Sequence, residues 1–176
     1  MKRCALLGLL LVTLAGCGGS GSTSSSVDVE FTRANGSFAN MPTTVRAWCG
    51  PFDEDNTDDE GVHVLAGDRP PSPYWIVDAV RADVERDPTT TLPNSFDYTK
   101  PRGASLFVFD ADDRGNELSS ADDESSGKIN VEYEGCDTGD SVTVAFDDVE
   151  LGSEYHDMPP LSVSGTVLAE IGDPPF

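Results

Sequence analysis

Lysine is almost missing from this sequence. It occurs only at Lys2, Lys100 and Lys128, and Lys and Arg together number 11 against 32 Asp and Glu, a formal charge of -21. A chain this negative is repelled by phosphate backbones, which excludes nucleic acid as a partner. The same charge keeps the chain soluble, at the cost of a self-repulsion that salt relieves. Histidine is scarcer still, with only His63 and His156. Zinc and its neighbours draw on imidazole and thiolate, so transition-metal chemistry has few ligands here, and both histidines read as surface residues. There is no C-x-x-C pair, no G-x-S-x-G elbow and no phosphate-binding P-loop. Ser125-x-x-Lys128 has the spacing of a serine-lysine acylase, but that motif needs a helix, and Ile129 onward reads as a strand. No internal repeat of fixed period is present.

The first residues carry the most specific pattern. Met1-Lys2-Arg3 is a short positive segment, and the apolar run Ala5 to Leu14, broken only by Gly8 and Thr13, is too short to span a bilayer. Leu14-Ala15-Gly16-Cys17 follows. This segment resembles the signal peptides of bacterial lipoproteins. The resemblance implies cleavage before Cys17, a diacylglyceryl group on its sulfur and acylation of the freed amine. One acyl chain holds a protein only marginally, whereas two or more anchor it stably at about 0.8 kcal/mol per buried CH₂. In that family an aspartate after the cysteine retains the protein in the inner membrane. Gly18 stands there instead, so the resemblance implies an outer-membrane lipoprotein of the cell envelope.

The expected organisation is a signal peptide over residues 1–16, a lipidated cysteine with its Gly/Ser tether over 17–26, and one folded domain over 27–176. The tether Gly18 to Ser26 has nothing to pack a core with and would span roughly 15–20 Å as a coil. Loss of Lys2 and Arg3 with the leader makes the mature part more negative still. With Cys4 in the leader and Cys17 acylated, Cys49 and Cys136 remain, and in an exported protein they are expected to pair. A bridge closing roughly 90 residues would contribute about 4–5 kcal/mol in the chain-entropy account.

Alternating patterns fill the rest. Val27 to Phe31 reads as a strand, Asn35-Gly36 as a turn, and Thr44 to Cys49 as its hairpin partner, with Val45, Ala47 and Cys49 on one face and Trp48 on the other. Gly61 to Ala66 puts Val62, Val64 and Ala66 inward and His63 outward. Tyr74 to Glu85 fits either a helical stripe or a strand face of Tyr74, Ile76, Val80, Ala82 and Val84 spoiled by Asp78; its β-branched content favours the strand. Asp87 to Gly103 reads as a surface crossing. Ala104 to Asp110, Lys128 to Glu134, Ser141 to Phe146 and Leu161 to Ile171 complete the pattern, with an acidic turn from Asp110 to Ser126. About eight strands with long acidic loops and no clear helix predict an all-β protein, an antiparallel β-sandwich or barrel. The second half, with Cys136, Gly139-Asp140, Leu151-Gly152-Ser153-Glu154 and Val163-Ser164-Gly165, is similar to uncharacterised bacterial lipoproteins of β-rich type, a likeness that carries no activity with it.

The sharpest metal candidate is calcium, which takes six to eight hard oxygens. Asp53 and Asp55 alternate in one acidic loop, and Asp110 and Asp112 open another. The EF-hand template fails in both: Asp58 stands where its turn glycine belongs, and in the second loop Arg114 and Ala121 replace ligands. In a chain this rich in Asp, solvated loops are the first reading. Trp48, Tyr74 and Trp75 offer a platform for stacking a sugar or a partner surface, although such residues are more often core. The expected function is a lipid-anchored structural, adhesive or binding module with no evident catalysis or cofactor, held to the membrane through Cys17. The alternatives are a calcium-stabilised extracellular binding domain and a glycan hydrolase working through two carboxylates.

Overall fold

A computed structural model describes residues 25–53, 56–68, 72–94, 101–110, 116–152 and 159–174. Within them run β1 (Ser26–Arg33), β2 (Val45–Asp53), β3 (Asn56–Gly67), β4 (Tyr74–Val80), α1 (Arg81–Arg86), β5 (Thr89–Thr91), β6 (Ala104–Asp110), β7 (Asn116–Ser119), β8 (Ser126–Tyr133), β9 (Ser141–Leu151) and β10 (Leu161–Glu170). They form two five-stranded antiparallel sheets. Sheet I has the order β1-β10-β9-β8-β5, and sheet II the order β2-β3-β4-β6-β7. The expected all-β sandwich is the observed one.

The core lies between the sheets because each strand alternates. Sheet I contributes Ile129, Val131, Val142, Val144, Phe146, Val163 and Val167; sheet II contributes Val62, Val64, Ala66, Val77, Leu106 and Val108. Trp75 sits at the centre, fully buried, with Phe31 at 6.0 Å and Phe146 at 6.4 Å, and its indole N–H donates to Pro42 O at 3.1 Å. The largest apolar side chain thus bridges the sheets, and its one polar atom has its partner.

Cys49 in β2 and Cys136, just after β8, form a disulfide with Cα atoms 5.7 Å apart. It joins sheet II to sheet I, and the residues it links are 87 apart in sequence. A second link runs beside it: Ile171, past the end of β10, makes a parallel bridge with Ala47, and Gly172 N donates to Ala47 O at 2.8 Å.

The structure corrects several expectations. Asn35-Gly36 does turn the chain, with Gly36 N donating to Arg33 O, but β1 pairs with β10 and β2 with β3, so no hairpin joins β1 to β2. The turn instead leads across from one sheet to the other. The face assigned to residues 74–85 is reversed: Trp75, Val77 and Ala79 point into the core, while Tyr74, Ile76 and Asp78 face outward. Asp78 is therefore in phase and spoils nothing. After Val80 the chain turns into the six-residue α1, and Val84 is buried against the sandwich. The crossing 87–103 contributes β5, which edges sheet I beside β8, and the acidic turn contributes β7, which edges sheet II. Both strands are too short for a periodic pattern to announce them.

Candidate binding face on sheet II

Antiparallel register sets side chains in rows across a sheet, and three rows face outward on sheet II. The first is Trp48, His63, Asp78 and Ser105; the second is Arg46, Leu65, Ile76, Phe107 and Ser119; the third is Gly67, Tyr74, Phe109 and Glu117. Trp48, Leu65 and Phe107 are buried despite facing outward, and Tyr74, Ile76 and Phe109 are half-buried. The face holds its own aromatic packing. Trp48 stacks on His63 at 5.1 Å, Phe52 meets the same imidazole edge-on at 5.2 Å, and Tyr74 stacks on Phe109 at 4.1 Å. Between these groups lies a groove of about 370 Å³, lined by Trp48, Leu65, Tyr74, Ile76, Asp78, Phe107, Phe109 and Glu117. That is the size of a small-ligand site, and its composition is that of one: apolar walls with a few polar groups.

His63, expected at the surface, is 5 % exposed. Its Nδ1 lies 2.7 Å from Asp78 Oδ1 and its Nε2 lies 3.2 Å from Gly50 O. The ring has room because Gly61 has no side chain; a Cβ there would lie 2.7 Å from both His63 Nε2 and Phe52 Cζ. Asp78 thus faces one ring nitrogen and the Gly50 carbonyl the other. Both nitrogens of the ring are thereby committed.

The row His63, Asp78, Ser105 contains the three residue types of a hydrolase triad in an order that cannot work as one. A triad needs histidine between the hydroxyl and the carboxylate. Here Asp78 stands in the middle, and Ser105 is fully buried with its Oγ 3.0 Å from Ser120 Oγ. The groove's two carboxylates are two strands apart and four residues apart along them, roughly 16 Å between backbones, and Asp78 is already held by His63. Ser125, the other serine of the sequence pattern, is buried, donating to Ser119 O at 2.8 Å and accepting from Gly152 N at 2.8 Å. Its hydroxyl ties β7 to the end of β9 instead of facing Lys128.

Asp53 closes β2 and Asp110 closes β6; Asp55 and Asp112 lie outside the described residues. Asp53 leaves sheet II at the end where β6 begins, Asp110 at the opposite end. Among the described residues no group of three or more metal-binding side chains converges. Cys17 and His156 also lie outside the described residues. Of the expected platform, Trp48 and Tyr74 line the groove and Trp75 is core. The sequence reading missed Leu65, Ile76, Phe107, Phe109 and Glu117. The signal was there in the period of two shared by Tyr74, Ile76 and Asp78 and by Phe107 and Phe109, on strands whose other face was already apolar.

A second polar cluster sits where α1 meets β8. Arg81 donates to Glu60 at 2.6 Å, to Glu85 at 3.2 Å and to Tyr133 Oη at 3.1 Å, and Tyr133 Oη donates to Glu85. The Tyr133 hydrogen bond, then Arg81, holds the Glu85 carboxyl below its ordinary value. Burial, then the Glu85 contact, pushes the Tyr133 phenol up. Every member has a partner within the cluster, which fastens the helix to sheet I.

Fold and face together define a disulfide-linked antiparallel sandwich with one outward face that is aromatic. Comparison with protein-family models, with curated proteins and with solved structures finds no match.

Proposed function

We propose that this chain is a lipid-anchored lipoprotein of the bacterial cell envelope whose sandwich serves as a binding module. The observation that carries the reading is the groove on the outer face of sheet II, with six apolar side chains lining it on a face the sandwich does not need for its core. Two further features support the anchored setting. Cys17 ends a lipobox-like segment and is followed by a Gly/Ser tether, and a disulfide between the sheets suits an oxidising compartment outside the cytoplasm. Among the described residues no helix is long and apolar enough to cross a membrane; the acyl groups on Cys17 would supply the attachment instead. In this reading Gly18 directs the protein to the outer membrane, and its acidic surface holds the domain clear of anionic headgroups.

The test is expression of the full chain in a double-membrane bacterium fed labelled palmitate. The expected outcome is a labelled protein in the outer-membrane fraction, and a Cys17→Ser variant that carries no label and leaves the membrane fraction. A wild-type chain that stays unlabelled and soluble would overturn the anchor.

A further inference from the structure

The groove's composition narrows its ligand. Among the described residues its lining includes four aromatic rings, Trp48, Tyr74, Phe107 and Phe109, and two acids, Asp78 and Glu117. Arg46 stands in the second row but is drawn aside, donating to Gly67 O at 3.1 Å and lying 3.5 Å from Asp68 Oδ1, where it lines a different depression. Aromatic faces carry negative quadrupoles and attract a cation, most strongly one whose charge is spread over methyl groups and so is cheap to desolvate. Glu117, exposed beside the groove, and a formal charge of -21 over the whole chain add attraction of the same sign, while the buried Asp78 is held by His63.

Building on the binding-module reading, we infer that the sheet II groove is a site for a methylated ammonium group, the chemistry shared by small choline-like solutes and by choline lipid headgroups. Trp48 and Phe107 form the buried part of the aromatic lining, the Tyr74–Phe109 stack lies in the third row, and Glu117, exposed on the edge strand β7 in the same row, faces the charge. The cation would displace solvent from the apolar rows while its charge stays near a carboxylate.

The experiment is isothermal calorimetry on the purified full chain carrying Cys17→Ser, with choline chloride and with 3,3-dimethylbutan-1-ol, which has the same shape and no charge. The inference predicts saturable choline binding that is tighter than that of the alcohol by about two- to thirtyfold. Phe109→Leu, which keeps an apolar side chain and removes the ring, should erase most of that preference, and Glu117→Gln should weaken choline binding while leaving binding of the alcohol unchanged. If Phe109→Leu fails to fold, Glu117→Gln alone decides. Sedimentation with phosphatidylcholine vesicles separates the sources: co-sedimentation identifies a lipid headgroup, and choline binding without it identifies a free solute. Equal binding of choline and the alcohol would overturn the cation and leave a generic apolar groove. Binding of neither would overturn the inference, while the anchor is judged separately by palmitate labelling.

Discussion

Sheets I and II have the same number of strands and share one core, yet their outer faces differ in kind. Outward on sheet I stand Asp28, Glu30, Thr143, Ser162, Ser164 and Thr166, which solvate a half-buried sheet in the ordinary way. Outward on sheet II stand Trp48, Leu65, Tyr74, Ile76, Phe107 and Phe109. Sheet I shows that this sandwich folds with a polar outer face, so the aromatic face of sheet II is surplus to the core. Apolar surface of this kind around a groove is what the proposed binding role would use.

Substitutions break or sharpen that contrast in a graded order. The inward face should be the most sensitive: Trp75→Ala removes the side chain that bridges the sheets and should cost about 3–5 kcal/mol in denaturant unfolding. Cys136→Ser should cost about 2–5 kcal/mol by freeing a long loop. On the outward face of sheet II, Asp78→Ala should cost about 1–3 kcal/mol, because it leaves a ring nitrogen of the buried His63 without its partner. If that loss is instead below about 1 kcal/mol, the pair belongs to the groove and not to the fold. Phe109→Ser, half-buried on the outer face, should cost less than Trp75→Ala while removing ligand binding, and Thr166→Ser on sheet I should stay within about 0.5 kcal/mol.

The smallest effect is a pH dependence. Because Glu85 is held below its ordinary value by Tyr133 and then Arg81, its contribution is present above the ordinary carboxylate range and lost as pH falls through the depressed folded value. Acid titration of stability should therefore show a slightly smaller loss in Glu85→Gln than in the parent chain, with the two curves apart at neutral pH and converging on the acid side.

The strands that alternate over six or more residues were legible in the sequence. Leu161 to Ile171 and Gly61 to Ala66 face as their period says. Cys49 and Cys136 pair as elimination of the other cysteines implied. The segment from Tyr74 misled because it is apolar on both faces: with Trp75, Val77 and Ala79 inward and Tyr74 and Ile76 outward, period two cannot say which set is core. That ambiguity is itself the signature of a strand apolar on both faces. His63 read as exposed because its neighbours Val62 and Val64 point inward; its burial depends on Trp48 and Phe52, which come from β2 and close over it. Likewise Thr89–Thr91 is a strand only because β8 lies beside it.

The most direct test of the division between faces is to give sheet II the outer surface of sheet I. In the triple variant Tyr74→Thr, Ile76→Thr and Phe109→Thr, three half-buried groove residues take on a side chain that suits strands and water. Denaturant unfolding of this variant should remain a single cooperative transition, with a loss of about 1–4 kcal/mol, and choline binding should vanish. A variant that no longer unfolds cooperatively would contradict the account, because the outer aromatic face would then be part of what folds the chain.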